Sequence, residues 1–427
     1  MNEASAKSPL CPWQRGVWVY DYPLFSQSFI FFLILAIVGV GLSIARSFVG
    51  LSFTGMSDAY AWGIWKTFNV MTLTALGSGG FAVGIAAWVF NWKSLHLVMR
   101  TALLTSLVFY FAGMVALTVD VGRPWNLWHV LVPSHWNTDS ALLEVAICMP
   151  LYAFIFLTFE NLPPLLERIY VHASDSVRQA LNIVFPTLKR VYPFVVAGAY
   201  LLPIMHQSSL GALLLLAGDK IHPLWQTQLL PLLYVVQAGV CGVACVTFTL
   251  MVACLAWRRP MDPDILGDLA RLMGRLSVGF VAIRFADVVW RGHLGTAFSF
   301  DPMSLLFHLE NLLVLIPSVV MLRSGRRQRP RTLFMGTIAV AVGGMLYRFT
   351  PTTVSYQPGE LHIYFPSFVE ILISLGYIAM TIVIYNFIVK NSAILPAPLD
   401  DWYTSVAWAR KRFRSMRMDE HGKAISD

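Results

Sequence analysis

The stretch TALLTSLVFYFAGMVALTVDVGRPWN (residues 101–126) decides the fold. Residues 101–119 are apolar almost without interruption, and a spanning helix needs about 20 such residues. The run ends in DVGRPWN (residues 120–126), passes into a loop rich in Trp and His, and is followed by a second apolar run that carries Glu144 in its first turns. Tyr110 falls in the middle of the first run. Polar and ionisable groups at that depth are costly, so an intramembrane site is the default reading of this stretch.

Composition points the same way. The chain has 427 residues, 57% of them hydrophobic and 13% charged, and a mean hydropathy of +0.63. That is about half the charge of an ordinary soluble domain. The formal charge of +8 sits in short clusters between apolar runs rather than on one face, which argues against nucleic acid as a partner. The five cysteines, Cys11, Cys148, Cys241, Cys245 and Cys254, form no CxxC and no spacing for zinc or an iron–sulfur cluster. Cys241 and Cys245, one helical turn apart in an apolar run, read as packing residues. Any metal centres that feed electrons to this chain are expected on a partner.

Apolar runs predict about ten transmembrane helices: residues 29–48, 62–90, 97–121, 140–159, 190–206, 229–257, 276–290, 303–322, 333–349 and 367–388. The first lacks a cleavage site and reads as a retained helix. The expected organisation is an N-terminal cytoplasmic segment over 1–27, an integral membrane domain over 28–390 and a basic cytoplasmic tail over 391–427. An even number of spans puts both termini on one side. Lys93, Arg100 and the basic residues of 167–190, 258–275, 323–331 and 410–417 fall in alternate loops or the tail, which assigns that side to the cytoplasm. The opposite loops hold His129, His135, His222, His293 and His362 with Trp125, Trp128, Trp136, Trp225 and Trp290, as suits a docking surface for a partner or a headgroup site.

The intramembrane residues suggest a chemistry. With a rise of about 1.5 Å per residue, Tyr110 lies about 15 Å below Asp120 and Glu144 about 7 Å inside Asp139. Both residues can then line one pocket entered from the periplasmic half. Gly113, three residues after Tyr110, removes a side chain where a flat ring would approach. A quinone carbonyl needs a hydrogen-bond donor and its reduction takes up protons, so a Tyr or His beside a carboxyl is the expected arrangement. Its prenyl tail needs an apolar cleft.

Each residue also has a structural reading. Tyr110 can bond a neighbouring helix, Glu144 can form an ion pair, and His206, which opens the polar break HQSS (206–209), can cap a helix. Asp120 and Arg123, three apart at a helix end, read as a clamp and are carried with the carrier-binding positions. Arg284 and Asp287, three apart in an apolar helix, read equally as a structural pair and as a proton guide. Glu310 and Glu370 read as solvated residues near helix ends, and GSGG (77–80) as a close helix contact.

These residues resemble the membrane subunit of Hyb-type respiratory nickel–iron hydrogenases, within the larger NrfD and polysulfide-reductase membrane-subunit family. The likeness spans residues 62–390. It is most specific at DVGRPWN (120–126) and LPIMHQSSLGALLLLAGDKIHPLWQ (202–226), with support from IRFADVVWR (283–291) and YFPSFVEILISLG (364–376). The resemblance implies two four-helix bundles plus two further helices, all α-helical, in a bacterial inner membrane. It implies a quinone, menaquinone or ubiquinone, bound near the periplasmic face, with no haem and no iron–sulfur cluster in the chain. Electrons would arrive through a HybA-like periplasmic iron–sulfur subunit from the small and large hydrogenase subunits. The positions implied for quinone and proton handling are Tyr110, Glu144 and His206, with Arg100 at the cytoplasmic end of the Tyr110 helix. Where a relative has a Glu on the sixth helix, this chain reads Val246-Thr247-Phe248-Thr249, and no route through that acid is implied.

The alternatives are an NrfD-like subunit of another periplasmic oxidoreductase, a dihaem cytochrome b and a secondary transporter. A dihaem protein needs pairs of facing His inside helices, whereas only His206 and His308 lie in or beside spans. A transporter shares broken helices and buried charges. If turnover also moves protons, Glu144, Arg100, Arg284 and Asp287 are the candidate relay groups.

Overall fold

A computed structural model of the chain describes residues 16–17, 24–57, 59–60, 63–121, 123–257, 261–323, 325, 329–359 and 364–396, and ten long helical rods lie among these described residues. Eight of the helices are long and apolar enough to cross a membrane: α1 Gln27–Phe53, α2 Lys66–Val89, α3 Lys93–Asp120, α4 Leu143–Tyr170, α6 Leu230–Ala256, α8 Pro302–Leu322, α9 Pro330–Val354 and α10 Phe368–Asn391. A ninth, α5, joins Asp175–Leu188 to Arg190–Leu215 with a bend of 56°. Its interior prolines, Pro186, Pro193 and Pro203, remove ladder bonds and give the bend a cause. Helix α7, Pro263–Trp290, has the length at 28 residues. Its charges, Asp264, Asp268, Arg271, Arg275, Arg284 and Asp287, keep it out of a count based on apolarity, so that count falls slightly below the ten expected.

Two boundaries differ from the sequence expectation for identifiable reasons. The expected start of α7 at residue 276 is too late, because the charges before it are satisfied within the fold. Arg271 pairs with Asp268, Ser94 donates to Asp268, and Arg271 and Arg275 lie over the Trp92 ring at 5.9 and 5.1 Å. The break expected after His206 is also absent. The helix continues to Leu215, so His206 and Gln207 are mid-helix side chains rather than caps.

Local chemistry starts the helices where the chain turns. Ser26 accepts from the Phe29 amide at 3.2 Å, Asp262 caps α7 ahead of Pro263, and Ser367 and Glu370 form a reciprocal capping box on α10. Asp301 caps α8, and the Ser304 amide and Ser299 hydroxyl hold its carboxyl below the usual range.

Helices α2–α5 pack as one four-helix group and α6–α9 as a second, while α1 and α10 lie against each other and against α3. The two groups meet where α2 touches α6. A Cβ on Gly79 would stand 2.5 Å from the Gly242 carbonyl oxygen, so the backbones are in direct contact and only glycine fits. This bears out the close-contact reading of residues 77–80. The Gly16–Val17 and Leu395–Pro396 strands pair antiparallel, which sets the two end segments side by side. Cys11, Trp62, His362 and the basic tail over 410–417 lie outside the described residues.

Candidate functional site

Helix α3 carries Tyr110 into the centre of the first group, where it is fully buried. Its ring contacts Tyr152 of α4 edge-on at 4.7 Å and His206 of α5 at 5.6 Å. A Cβ on Gly77 would stand 2.9 Å from the Tyr110 ring, so the α2 glycine makes room for it. The Tyr110 hydroxyl lies 3.4 Å from Ser78 Oγ and accepts from Gln207 Nε2 at 3.3 Å. Gln207 Nε2 also donates to Thr74 at 3.1 Å. Both ring nitrogens of His206 are buried and have no hydrogen-bond partner among the described residues. Buried polar atoms are nearly always paired, and an orphaned pair of them points to an absent ligand or water.

Three residues along α5 from His206, on the same face, Ser209 donates to Glu144. Glu144 lies in the first turn of its helix and is exposed at that end. Tyr110, His206 and Glu144 therefore converge along one face of α5: two buried rings, then a carboxyl at the outer end. Such a row can bond a flat, two-carbonyl ring in its buried part and exchange protons with the surface at its outer part.

The cluster extends into the second group through Arg348, which is 0% exposed. Its Nη2 donates to Gln207 Oε1 at 3.0 Å and to the Tyr234 carbonyl at 2.8 Å. Its Nε donates to Gln237 Oε1 at 2.5 Å, and the guanidinium lies 3.8 Å from the Tyr234 ring centroid. Arg348 and Gln207 were absent from the sequence-derived set. Arg348 sits at the end of the apolar run read as 333–349, where a snorkelling side chain is expected. The span in fact continues through Thr350–Val354, which buries it.

Several expected pairings are corrected. Arg284 and Asp287 do not pair with each other. Arg284 bonds Glu310 at 2.7 Å and Asn311 at 3.3 Å, beneath the rings of Phe307 and Tyr347. Asp287 bonds Arg291 at 2.7 Å and accepts from Thr227 at 2.7 Å. Arg291 in turn donates to the carbonyls of Pro223 and Gln226, so the HPLWQ part of the long motif is tied down onto α7. Asp120 bonds Lys66 at 3.2 Å, while Arg123 is exposed. The expected Asp120–Arg123 clamp is not formed.

Glu310 and Glu370, read as solvated, are both buried. Glu310 accepts from Trp225 at 3.1 Å and from Thr350. Glu370 accepts from the Gly55 amide at 2.9 Å and Tyr364 at 2.9 Å. Trp225 is accordingly a core residue rather than part of an exposed docking surface, unlike Trp125, Trp128, Trp136 and Trp290. Gly113 opens no space for a ring: a Cβ there would stand 2.9 Å from Met149 and Thr74, so it serves helix packing. Arg100 is buried in a two-pronged bond to Glu167 at 3.0 and 2.7 Å and also holds the Ala393 carbonyl at 2.9 Å.

The polysulphide reductase NrfD family model matches residues 52–356 of the chain. The probable Ni/Fe-hydrogenase 2 b-type cytochrome subunit of Escherichia coli (strain K12) is 34% identical over 366 residues, which cover 85% of this chain and 91% of that protein. The menaquinone reductase integral membrane subunit of Nitratidesulfovibrio vulgaris is 24% identical over 334 residues, 71% of this chain and 74% of that protein.

Proposed function

Because the chain belongs to the polysulphide reductase NrfD family, we propose that it is a quinone-reducing membrane anchor of a periplasmic nickel–iron hydrogenase. In this reading it lies in a bacterial inner membrane with both termini cytoplasmic and the Glu144 end of α4 towards the periplasm, as the loop charges favour. A HybA-like iron–sulfur subunit, with the hydrogenase small and large subunits behind it, delivers electrons at that face to menaquinone or ubiquinone. A quinone supplies two-electron, two-proton carrier chemistry. The name of the menaquinone reductase relative supports a quinone as the carrier and keeps open a second reading, in which another periplasmic oxidoreductase is attached.

The observation that carries the proposal is the buried row of Tyr110, Gln207 and His206 beside the Ser209–Glu144 bond. Gln207 and Ser78 hold the Tyr110 hydroxyl, which offers a donor to a carrier carbonyl. His206 offers a second polar atom on the same side, and Glu144 exchanges protons at the outer end.

The name of the E. coli relative includes a b-type cytochrome, but the described residues here do not fit a bis-histidine haem. His206 is the fully buried helix histidine, and a ring nitrogen of His308, on α8, is 2.8 Å from the Ala297 carbonyl. Axial ligation needs two facing imidazoles.

The test is binding of a fluorescent hydroxyquinoline N-oxide, a quinone-site inhibitor, to the purified complex. Wild type is expected to quench it, and Tyr110→Phe to weaken binding about tenfold, the loss of one buried hydrogen bond. Unchanged affinity in Tyr110→Phe removes the phenol from the site, and the lack of quenching in wild type removes the quinone.

A further inference from the structure

The described residues include five buried acids, Glu160, Asp268, Asp287, Glu310 and Glu370, and four of them are held by partners. Asp268 pairs with Arg271, Asp287 with Arg291 and Glu310 with Arg284, while Glu370 accepts from two backbone amides and Tyr364. Glu160 differs. It is 5% exposed, and its Oε2 has no hydrogen-bond partner among the described residues. An uncompensated carboxylate inside a bilayer is costly, and such residues mark proton routes more often than they mark packing.

The helix around Glu160 is open as well. Pro163 and Pro164 lie inside it. Neither has an N–H to give the carbonyls of Phe159 and Glu160, so two backbone acceptors beside the carboxyl lose their ladder partners. A carboxyl and two such carbonyls supply the polar partners that a bound water needs.

Position along the bilayer gives the cluster a direction. Glu160 is about 24 Å along α4 from Glu144 and about 10 Å from Glu167, so it lies towards the membrane face that holds the Arg100–Glu167 pair. Between it and the carrier site stand tyrosines. Tyr152 lies on α4 between Glu144 and Glu160, about 12 Å along the helix from Glu160, and contacts the Tyr110 ring at 4.7 Å; Tyr200 lies about 9 Å along α5 from His206, next to the turn where Gly198 meets Phe156 of α4. The Glu144 end opens on the opposite face.

We propose that Glu160 is a proton-loading group that supplies the Tyr110 site from the Arg100–Glu167 face, through Tyr200, Tyr152 and intervening water. The inference rests on the quinone reading above. When a quinone takes two electrons from the redox partner it takes up two protons to become the quinol, and each proton that leaves Glu160 is replaced from the aqueous face beside Arg100. Each proton taken up through Glu160 from that face, against an electron delivered at the other, separates charge across the membrane, while Glu144 exchanges protons with the outer face.

The experiment uses the intact complex purified with its redox partners, as wild type, Glu160→Gln and Glu160→Asp. In Glu160→Gln, quenching of the hydroxyquinoline N-oxide should match wild type, while reduction of a soluble quinone analogue by hydrogen falls about a hundredfold, as expected for loss of a positioned proton donor. Glu160→Asp should recover part of the rate. Infrared difference spectra on reduction should show a carboxylic acid carbonyl band in wild type that Glu160→Gln lacks. A wild-type rate in Glu160→Gln, an unchanged infrared band, or loss of inhibitor binding in that variant would each overturn the proposal, the last by making Glu160 a structural support. A wild type that neither quenches the inhibitor nor reduces the analogue overturns the quinone reading itself, and this one with it.

Discussion

Every group that Arg348 is seen to bond is neutral: the side-chain oxygens of Gln207 and Gln237 and the carbonyl of Tyr234. A guanidinium buried in this way forms the junction between the two helix groups, and through Gln207 it sets the hydroxyl of Tyr110. Arg348→Met should leave two amide oxygens unsatisfied, at about 1–3 kcal/mol each, seen as a lower unfolding temperature in detergent. It should also weaken inhibitor binding, since Gln207 is then free to turn away from Tyr110. Normal binding in a folded Arg348→Met protein would separate the arginine from the site. Glu144→Gln belongs to this scale too. The amide keeps the Ser209 bond but not the proton exchange, so quinone-analogue reduction should fall while inhibitor affinity holds, and reduction at the wild-type rate would remove Glu144 from the path. Tyr110, Glu144 and His206 were legible in the sequence because each interrupts an apolar run. Glu160 obeys the same rule, but it sits just past the expected end of its span at residue 159, so the length of the apolar run does not single it out.

At the scale of elements, the contact of α2 with α6 is the most demanding. Gly79 and Gly242 bring two backbones together, and the neighbouring Ser78 then reaches Tyr110. Gly242→Val is expected to force the groups apart, at about 1–3 kcal/mol of overpacking, and to reduce inhibitor binding in parallel. Gly41→Ala, with open space around its Cβ position, is the matched control and should be neutral or slightly stabilising. A Gly242→Val protein as stable as the control would mean that the two groups are not held by this contact. Helix existence was legible from apolar length, whereas the ends were not. Helix α7 begins earlier than its apolar part because Asp268, Arg271 and Arg275 find partners on Ser94 and Trp92, and α5 runs on past HQSS because Gln207 and Ser209 bond Thr74, Tyr110 and Glu144 on other helices.

For the molecule as a whole, the ends of α3 and α4 near Glu144 present exposed Trp125, Trp128, Leu131 and Trp136. Aromatic anchors of this kind suit either the membrane interface or a docked protein. If the hydrogenase reading holds, mild solubilisation should copurify an iron–sulfur protein and the hydrogenase subunits with this chain, identified by mass spectrometry. Copurification of a different catalytic subunit would transfer the chain to the second reading and leave the carrier site intact.

The sequence by itself determined the class of solvent, the helical architecture and the family resemblance. Each of these follows from one-dimensional facts: the length of apolar runs and the order of motifs. Only the tertiary structure decided who bonds whom. Arg284 finds Glu310 rather than Asp287, Asp120 finds Lys66 rather than Arg123, and Gly113 packs rather than opens. The reason is physical: in hydrocarbon a charged or polar side chain takes the best partner that any neighbouring helix brings within reach, and helix neighbours are set by packing between separate segments of the chain. Spacing along one helix cannot report that choice.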